Sequence, residues 1–153
     1  KKDIWYSSNG VNWTKATDSA AFPIRIGHTA TVFDNKIWVI GGAVPFEWHN
    51  DIWYSSDGIE WIQATAPEAF PPRSSHTSVV FANALWVIGG RDKENIGKND
   101  MWYSNDGTNW IQATDAATFP ARRSHTSVVY DDKIWIIAGY TTNGFGQDIW
   151  SID

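Results

Sequence analysis

The sequence predicts an all-β fold assembled from one repeated four-stranded antiparallel unit, and three observations predict it. First, a unit of about 48 residues is written three times between Asp3 and Gln147, and a fourth copy is begun. Asp3-Ile4-Trp5-Tyr6-Ser7 returns as Asp51-Ile52-Trp53-Tyr54-Ser55, as Asp100-Met101-Trp102-Tyr103-Ser104, and as Asp148-Ile149-Trp150-Ser151. Second, ten of the eleven tryptophans keep that period: Trp5, Trp53, Trp102 and Trp150; Trp13, Trp61 and Trp110; Trp38, Trp86 and Trp135. Only Trp48 stands outside it. Third, no stretch carries a helical period, whereas each unit holds four short runs with strand chemistry. Such a period marks an architecture in which no unit buries its own apolar face, so neighbours must stack. The tryptophans are expected to be wedges between the stacked sheets, each worth roughly 3–5 kcal/mol on truncation.

The second copy shows the elements most clearly. Strand a is Ser75–Phe81, β-branched and aromatic, and strand b is the apolar run Ala84–Ile88, which ends in Gly89-Gly90. Strand c, Asp51–Ser55, alternates polar and aromatic residues, and strand d is Trp61–Thr65. Between c and d lie Asn9-Gly10, Asp57-Gly58 and Asp106-Gly107, dipeptides that favour the positive φ angles of a tight hairpin. Asp34-Asn35, Ala82-Asn83 and Asp131-Asp132 read as short turns between a and b. Phe22-Pro23, Phe70-Pro71 and Phe119-Pro120 precede each strand a, where a residue without a ladder donor fits a connection. Four antiparallel strands joined by hairpins and repeated are a β-propeller blade. The copies align over Asp3–Gly42, Asp51–Gly90 and Asp100–Gly139 without a gap. All length variation falls between b and c, in Ala43–Asn50, Arg91–Asn99 and Tyr140–Gln147, and function is expected on such divergent loops.

Arg73-x-x-His76, a β-branched strand, Gly89-Gly90, Asn99-Asp100-x-Trp102 and a later Trp110 resemble a kelch repeat. Arg25 and His28 with Gly41-Gly42, and Arg122 and His125, carry the same features, although the third doublet is Ala138-Gly139. The resemblance implies a propeller of six or seven blades with strand a innermost, commonly used for protein binding and sometimes for an enzyme. Ser55-Ser56-Asp57-Gly58-x-x-Trp61 is also similar to a shortened Asp-box, the structural turn of sialidase-type propellers.

Two readings of the arginine and histidine series are open. Arg25, Arg73 and Arg122, with His28, His76 and His125, belong to the kelch structural pattern, as side-chain ties from the connection to the adjacent blade. Gathered at one channel mouth, the same guanidinium groups would hold a carboxylate or phosphate bidentately. Zinc would need imidazole nitrogens converging at about 2.0–2.1 Å, and a propeller channel is too wide for that, so no metal and no cofactor are expected. Phe46, Trp48 and His49 fall in the first b–c loop, outside any strand. Exposed aromatics of that kind are enriched in binding hot spots. The second loop is charged, with Arg91, Asp92, Lys93, Glu94 and Lys98, and the third is mostly polar. Every Ser or Asp with a nearby His belongs to the repeat, whereas catalysis needs an asymmetric set, so no catalytic residue is nominated. The expectation is a non-enzymatic binding or scaffold module recognising a protein, peptide, sugar or small anion. The alternative is a fragment of a carbohydrate-active enzyme, sialidase- or epimerase-like.

Composition narrows the rest. Twelve basic and seventeen acidic residues leave a net charge of −5 without a run of either sign, which argues against a nucleic-acid surface or a polybasic membrane patch. No apolar stretch is long enough to span a bilayer. The absence of cysteine excludes disulfides, thiolate metal sites and a copper-radical oxidase, which needs a Tyr–Cys crosslink. It suits a secreted, periplasmic or cytoplasmic location equally. Lys1-Lys2 is neither a methionine start nor a signal peptide, as in a processed or excised chain. Residues 1–153 form one domain, with repeats 3–50, 51–99, 100–147 and a partial 148–153. Its strands run c-d, a-b-c-d, a-b-c-d, a-b-c. Three blades cannot close a ring, so a homodimer of six blades is expected, with the terminal c-d of one chain completing the a-b of the other and one c strand left surplus.

Overall fold

The computed structural model describes residues 1–64 and 69–152, and every regular element in them is a strand. β1 (Ile4–Tyr6) and β2 (Thr14–Thr17) pair as an isolated hairpin. β3 (Thr29–Phe33), β4 (Lys36–Val44), β5 (Glu47–Ser55) and β6 (Ile62–Ala64) form the first complete blade, each strand beside its neighbour in the chain. β7 (Thr77–Phe81), β8 (Ala84–Arg91), β9 (Gly97–Ser104) and β10 (Ile111–Thr114) form the second. After the two-residue β11 (Arg122–Arg123) come β12 (Thr126–Tyr130) and β13 (Lys133–Ile137). The small hairpin β14 (Tyr140–Thr141) and β15 (Gly144–Phe145) follows, then β16 (Ile149–Ile152). β12-β13-β16 is a third blade of three strands. The strand order read from the sequence is therefore the order observed. Thr65, expected to close a d strand, and Asp153, the end of the partial copy, lie outside the described residues.

Strands b and c run further than the sequence suggested, and this corrects the reading of the b–c loops. Gly41 and Gly42 take φ of 56° and 101° and form a bulge that bends the ladder without ending it. Pairing resumes as Gly42↔His49, Ala43↔Trp48 and Val44↔Glu47. Trp48 and His49 are thus inside β5, and Phe46, at φ 73°, is left at the tip with Pro45. Gly89 and Gly90 repeat the bulge, with Gly90↔Lys98 and Arg91↔Gly97 beyond it. In the third copy Ala138 sits at φ 56°, β13 stops at Ile137, and the hairpin continues separately as β14–β15.

Both residues of each a–b turn have positive φ, the geometry that matches the twist of a two-residue hairpin. Ala82 holds it at φ 49°, where a Cβ is unfavourable. In the c–d turns only the glycine is left-handed, and the turn is longer than a two-residue hairpin. Ser55 Oγ accepts from Gly58 N at 2.8 Å, while Asp57 Oδ1 accepts from Ile59 N and Glu60 N. Ser7 with Asn9, and Ser104 with Asp106, build the same turn.

The cores lie between blades. Trp38, Ile40 and Ile52 of the first blade pack with Leu85 and Val87 of the second. Val79, Ile88 and Met101 pack with Ile134 and Ile136 of the third. Ile4 of the β1–β2 hairpin packs with Phe22, Val39 and Trp61 of the first blade. Trp38, 2% exposed, reaches under the second blade's c–d turn so closely that a Cβ on Gly107 would meet its ring at 2.1 Å. The innermost strands neighbour one another, β3 beside β7 and β7 beside β12.

Candidate functional site

The arginines are locked inside their own blades. Arg73 Nε donates to Pro71 O, Nη1 to Gly89 O at 2.9 Å and Asp100 Oδ1 at 2.8 Å, and Nη2 to Asp100 Oδ2 at 2.7 Å. Arg25 does the same with Pro23, Gly41 and Asp51, and Arg122 with Pro120, Ala138 and Asp148. Each aspartate also accepts from the indole two residues on, Trp53, Trp102 or Trp150. The side chain therefore binds strands b and c of its own blade, where a tie to the adjacent blade was expected. It is the backbone that crosses: Arg73 N donates to His49 O, and Gly42 N to Arg73 O. β11 likewise lies between β9 of the second blade and β14 of the third. Burial works to raise the Asp51 and Asp100 carboxyls, but the bonds from arginine and tryptophan outweigh it and hold both below the usual range. Bonds from Arg122 and Trp150 hold Asp148 lower still than its ordinary value.

The histidines line the seams. His76 Nε2 shares a hydrogen bond with Thr29 Oγ1 at 3.2 Å, and His125 Nε2 with Thr77 Oγ1 at 2.9 Å. Each thus ties its own strand a to the preceding one. The glycine of the bulge makes room for them, since a Cβ on Gly41 or Gly89 would lie 3.0 or 3.1 Å from the next blade's imidazole. Burial, then the charge of Arg73, pushes His76 down to about 3, and burial with Arg122 pushes His125 down to about 4, so both are neutral. Their Nδ1 atoms, and His49 Nε2, are buried without a hydrogen-bond partner. His28 is exposed and has no threonine partner among the described residues. A backbone relay runs beside these contacts: Ser75 N donates to Gly27 O at 2.7 Å, and Ser124 N to Ser75 O at 2.8 Å.

A cleft of about 680 Å³ opens between the first two b–c hairpins and the approach to β7. Phe46 and Trp48 of the first hairpin, Pro71 and Pro72 of the approach, and Asp92, Lys93, Glu94 and Lys98 of the second hairpin line it. Phe46 is fully exposed. The Arg91 guanidinium lies over the Trp48 ring at 5.5 Å, which fixes the indole as a wall. Lys98 Nζ is held by Asp92 at 2.6 Å, leaving Lys93 and Glu94 outermost.

Of the residues singled out from the sequence, the structure brings Phe46 and Trp48 to this cleft and Arg73 to its base. His49 is buried, and His28, His76 and His125 stand one to a blade. Among the described residues no three His, Asp or Glu side chains are placed to hold a metal. Sequence reasoning missed Asp51, Asp100 and Asp148 as arginine partners. The signal was present, since an aspartate follows each arginine by 26 or 27 residues in every copy. The groove residues Pro72, Gln112 and Asp115 carried no such signal.

The family model for the KLHDC2/KLHL20/DRC7 Kelch-repeats domain matches residues 27–153. No curated protein matches the chain.

Proposed function

Because the chain belongs to the kelch-repeat family, we propose that it is a non-enzymatic protein-binding module, in which two copies close a six-bladed ring. The observation that carries the binding role is the cleft of about 680 Å³ between the first two b–c hairpins. Its walls combine an exposed phenyl ring, an indole pinned by Arg91, two prolines and a mixed-charge rim. Apolar anchors inside a polar margin suit an extended peptide segment, whose side chains enter the cleft while its charges meet Lys93 and Glu94. The clamped arginines serve this role indirectly: each guanidinium holds its hairpin against the approach to strand a, so the walls keep their spacing.

Closure is supported by the two ends of the seam, which offer complementary groups. Among the described residues the relay leaves Gly27 N without an acceptor at one end and Ser124 O without a donor at the other. His28 lacks the threonine that His76 and His125 have, while Thr126 occupies the equivalent threonine position. Two half-rings placed end to end would join both pairs twice.

Panning a random peptide display library on the protein tests the binding role. Enriched peptides should lose binding to a Phe46→Ala, Trp48→Ala double variant that keeps the wild-type melting temperature. Equal enrichment on both proteins would reject the cleft as the recognition surface. Sedimentation velocity at micromolar concentration tests closure, with twice the chain mass expected and a compact monomer rejecting it.

A further inference from the structure

Among the described residues the third blade has three strands and lacks two ring contacts that the other blades have. In the first blade Trp38 pairs across the ladder with Tyr54, rings 5.1 Å apart, and in the second Trp86 stacks on Tyr103 at 5.1 Å. In the third the residue opposite Trp135 is Ser151, and no ring contacts Trp135 among the described residues. Phe22 meets Trp61 edge-on at 5.0 Å, and Phe70 meets Trp110 at 5.1 Å, both from strand d. Phe119, their counterpart, has no such indole among the described residues.

The β1–β2 hairpin carries the missing parts and has no use for them where it stands. Tyr6 occupies the Tyr54 and Tyr103 position, and Trp13 the Trp61 and Trp110 position; they are 57% and 60% exposed. Asp3 accepts from Trp5 Nε1 at 2.9 Å, half of the aspartate clamp, with no arginine beside it. The hairpin is already seated as a blade edge: Ala20 N donates to Lys2 O, as Ala117 N does to Asn99 O in the second blade. A cavity of about 400 Å³ lies beside it, lined by Asp3, Ile4, Trp5, Phe22 and His28, where strands a and b of a preceding blade would sit.

We infer that the intact β1–β2 hairpin of a second copy completes the third blade by displacing β16, so that β16 is the surplus strand. Tyr6 then stacks on the other copy's Trp135, Trp13 meets its Phe119, and Asp3 replaces Asp148 on its Arg122. Retaining β16 would instead require β2 to peel from β1, losing the five Ser7 and Asn9 side-chain bonds of the turn, and would still leave Trp135 facing serine. The exchange loses one four-residue strand and gains its closer match, together with a fourth strand.

The inference rests on two-copy closure, and a pair of isosteric, charge-removing variants separates the two. Asp3→Asn and Asp148→Asn are each introduced into the full chain, and the dimer dissociation constant is measured by analytical ultracentrifugation. Asp3→Asn should weaken the dimer about tenfold or more, as expected for a lost charge-assisted bond, and Asp148→Asn should leave it equal or tighter. Ser151→Tyr, which gives β16 the ring it lacks, should weaken the dimer by making the competing strand a better one. The reverse order, with Asp148→Asn weakening the dimer and Asp3→Asn silent, would overturn the displacement and leave closure intact. A wild-type monomer at all concentrations would overturn closure, and the displacement with it.

Discussion

Removing Arg73 is the most informative single perturbation, because its partners can be enumerated. Arg73→Ala leaves Pro71 O, Gly89 O and both Asp100 oxygens without the guanidinium, while Trp102 Nε1 still donates to the carboxylate. The two side chains are 2% and 12% exposed, so an uncompensated charge is left in a site water barely reaches. Breaking such a pair from one side costs about 3–5 kcal/mol, a large share of the roughly 5–15 kcal/mol that holds a domain of this kind. Sequence equivalence alone predicts that Arg25→Ala and Arg122→Ala behave alike. Solvent access grades them instead, since the stranded carboxylate is 18% exposed for Asp51 and 37% for Asp148. Asp148 can rehydrate, and Arg122→Ala should cost about 1–2 kcal/mol. Urea unfolding followed by tryptophan fluorescence, at one fixed protein concentration, measures all three. An Arg73→Ala loss below about 1 kcal/mol, or an Arg122→Ala loss larger than that of Arg73→Ala, would refute the clamp as a buried ion pair. Adding Asp100→Asn to Arg73→Ala should recover part of the loss, since the orphaned charge is gone.

Ala138→Gly should stabilise the chain by about 1 kcal/mol in the same assay, because φ 56° costs an alanine what a glycine does not spend. Ala82→Asn should give a smaller gain of about 0.5 kcal/mol at φ 49°, read as a shift in urea midpoint at unchanged slope. Gly107→Ala should cost about 3 kcal/mol or more, its Cβ meeting the Trp38 ring, whereas Gly10→Ala, at the similar φ of 74° with open space around it, should cost about 1 kcal/mol in the monomer. Stability should fall as pH drops from the ordinary histidine value of 6.5 towards about 4 and 3: the unfolded chain takes up protons that His125 and His76 refuse while folded. Asp51 and Asp100, whose folded values are lowered, extend the loss below pH 3.8, and His76→Gln should flatten the upper part of the curve.

The strand order was legible because each blade repeats the same apolar and turn residues, and three copies average out local ambiguity. The extent of strands b and c was not, because Gly-Gly reads as an ending and in fact makes a bulge. Whether a glycine pair stops or bends a ladder depends on what approaches it, here the imidazole of His76 or His125 from the next blade. Trp48 stands outside the tryptophan period and reads as a loop residue, yet it lies in β5, and its neighbour Arg91 comes from another hairpin that no local pattern announces. The exposure of Tyr6 and Trp13 was equally hidden, since in the sequence they are indistinguishable from the half-buried Tyr54, Tyr103 and Trp110 and the buried Trp61.

The arginine clamp bears on how such chains grow. Every formal charge that the blade buries is balanced by a partner inside the same blade, through Asp51, Asp100 or Asp148. The hydrogen bonds along the histidine seams are neutral, made by a peptide bond, a hydroxyl and an uncharged imidazole. The cations that reach across, Arg91 over Trp48 and Arg123 to Asn95 O, meet uncharged partners. A duplicated blade therefore arrives electrically complete and can be inserted beside any other without leaving a stranded ion at the joint. Copy number can drift by whole units while the hairpin tips diverge independently, the history written in a constant frame with unrelated segments between b and c.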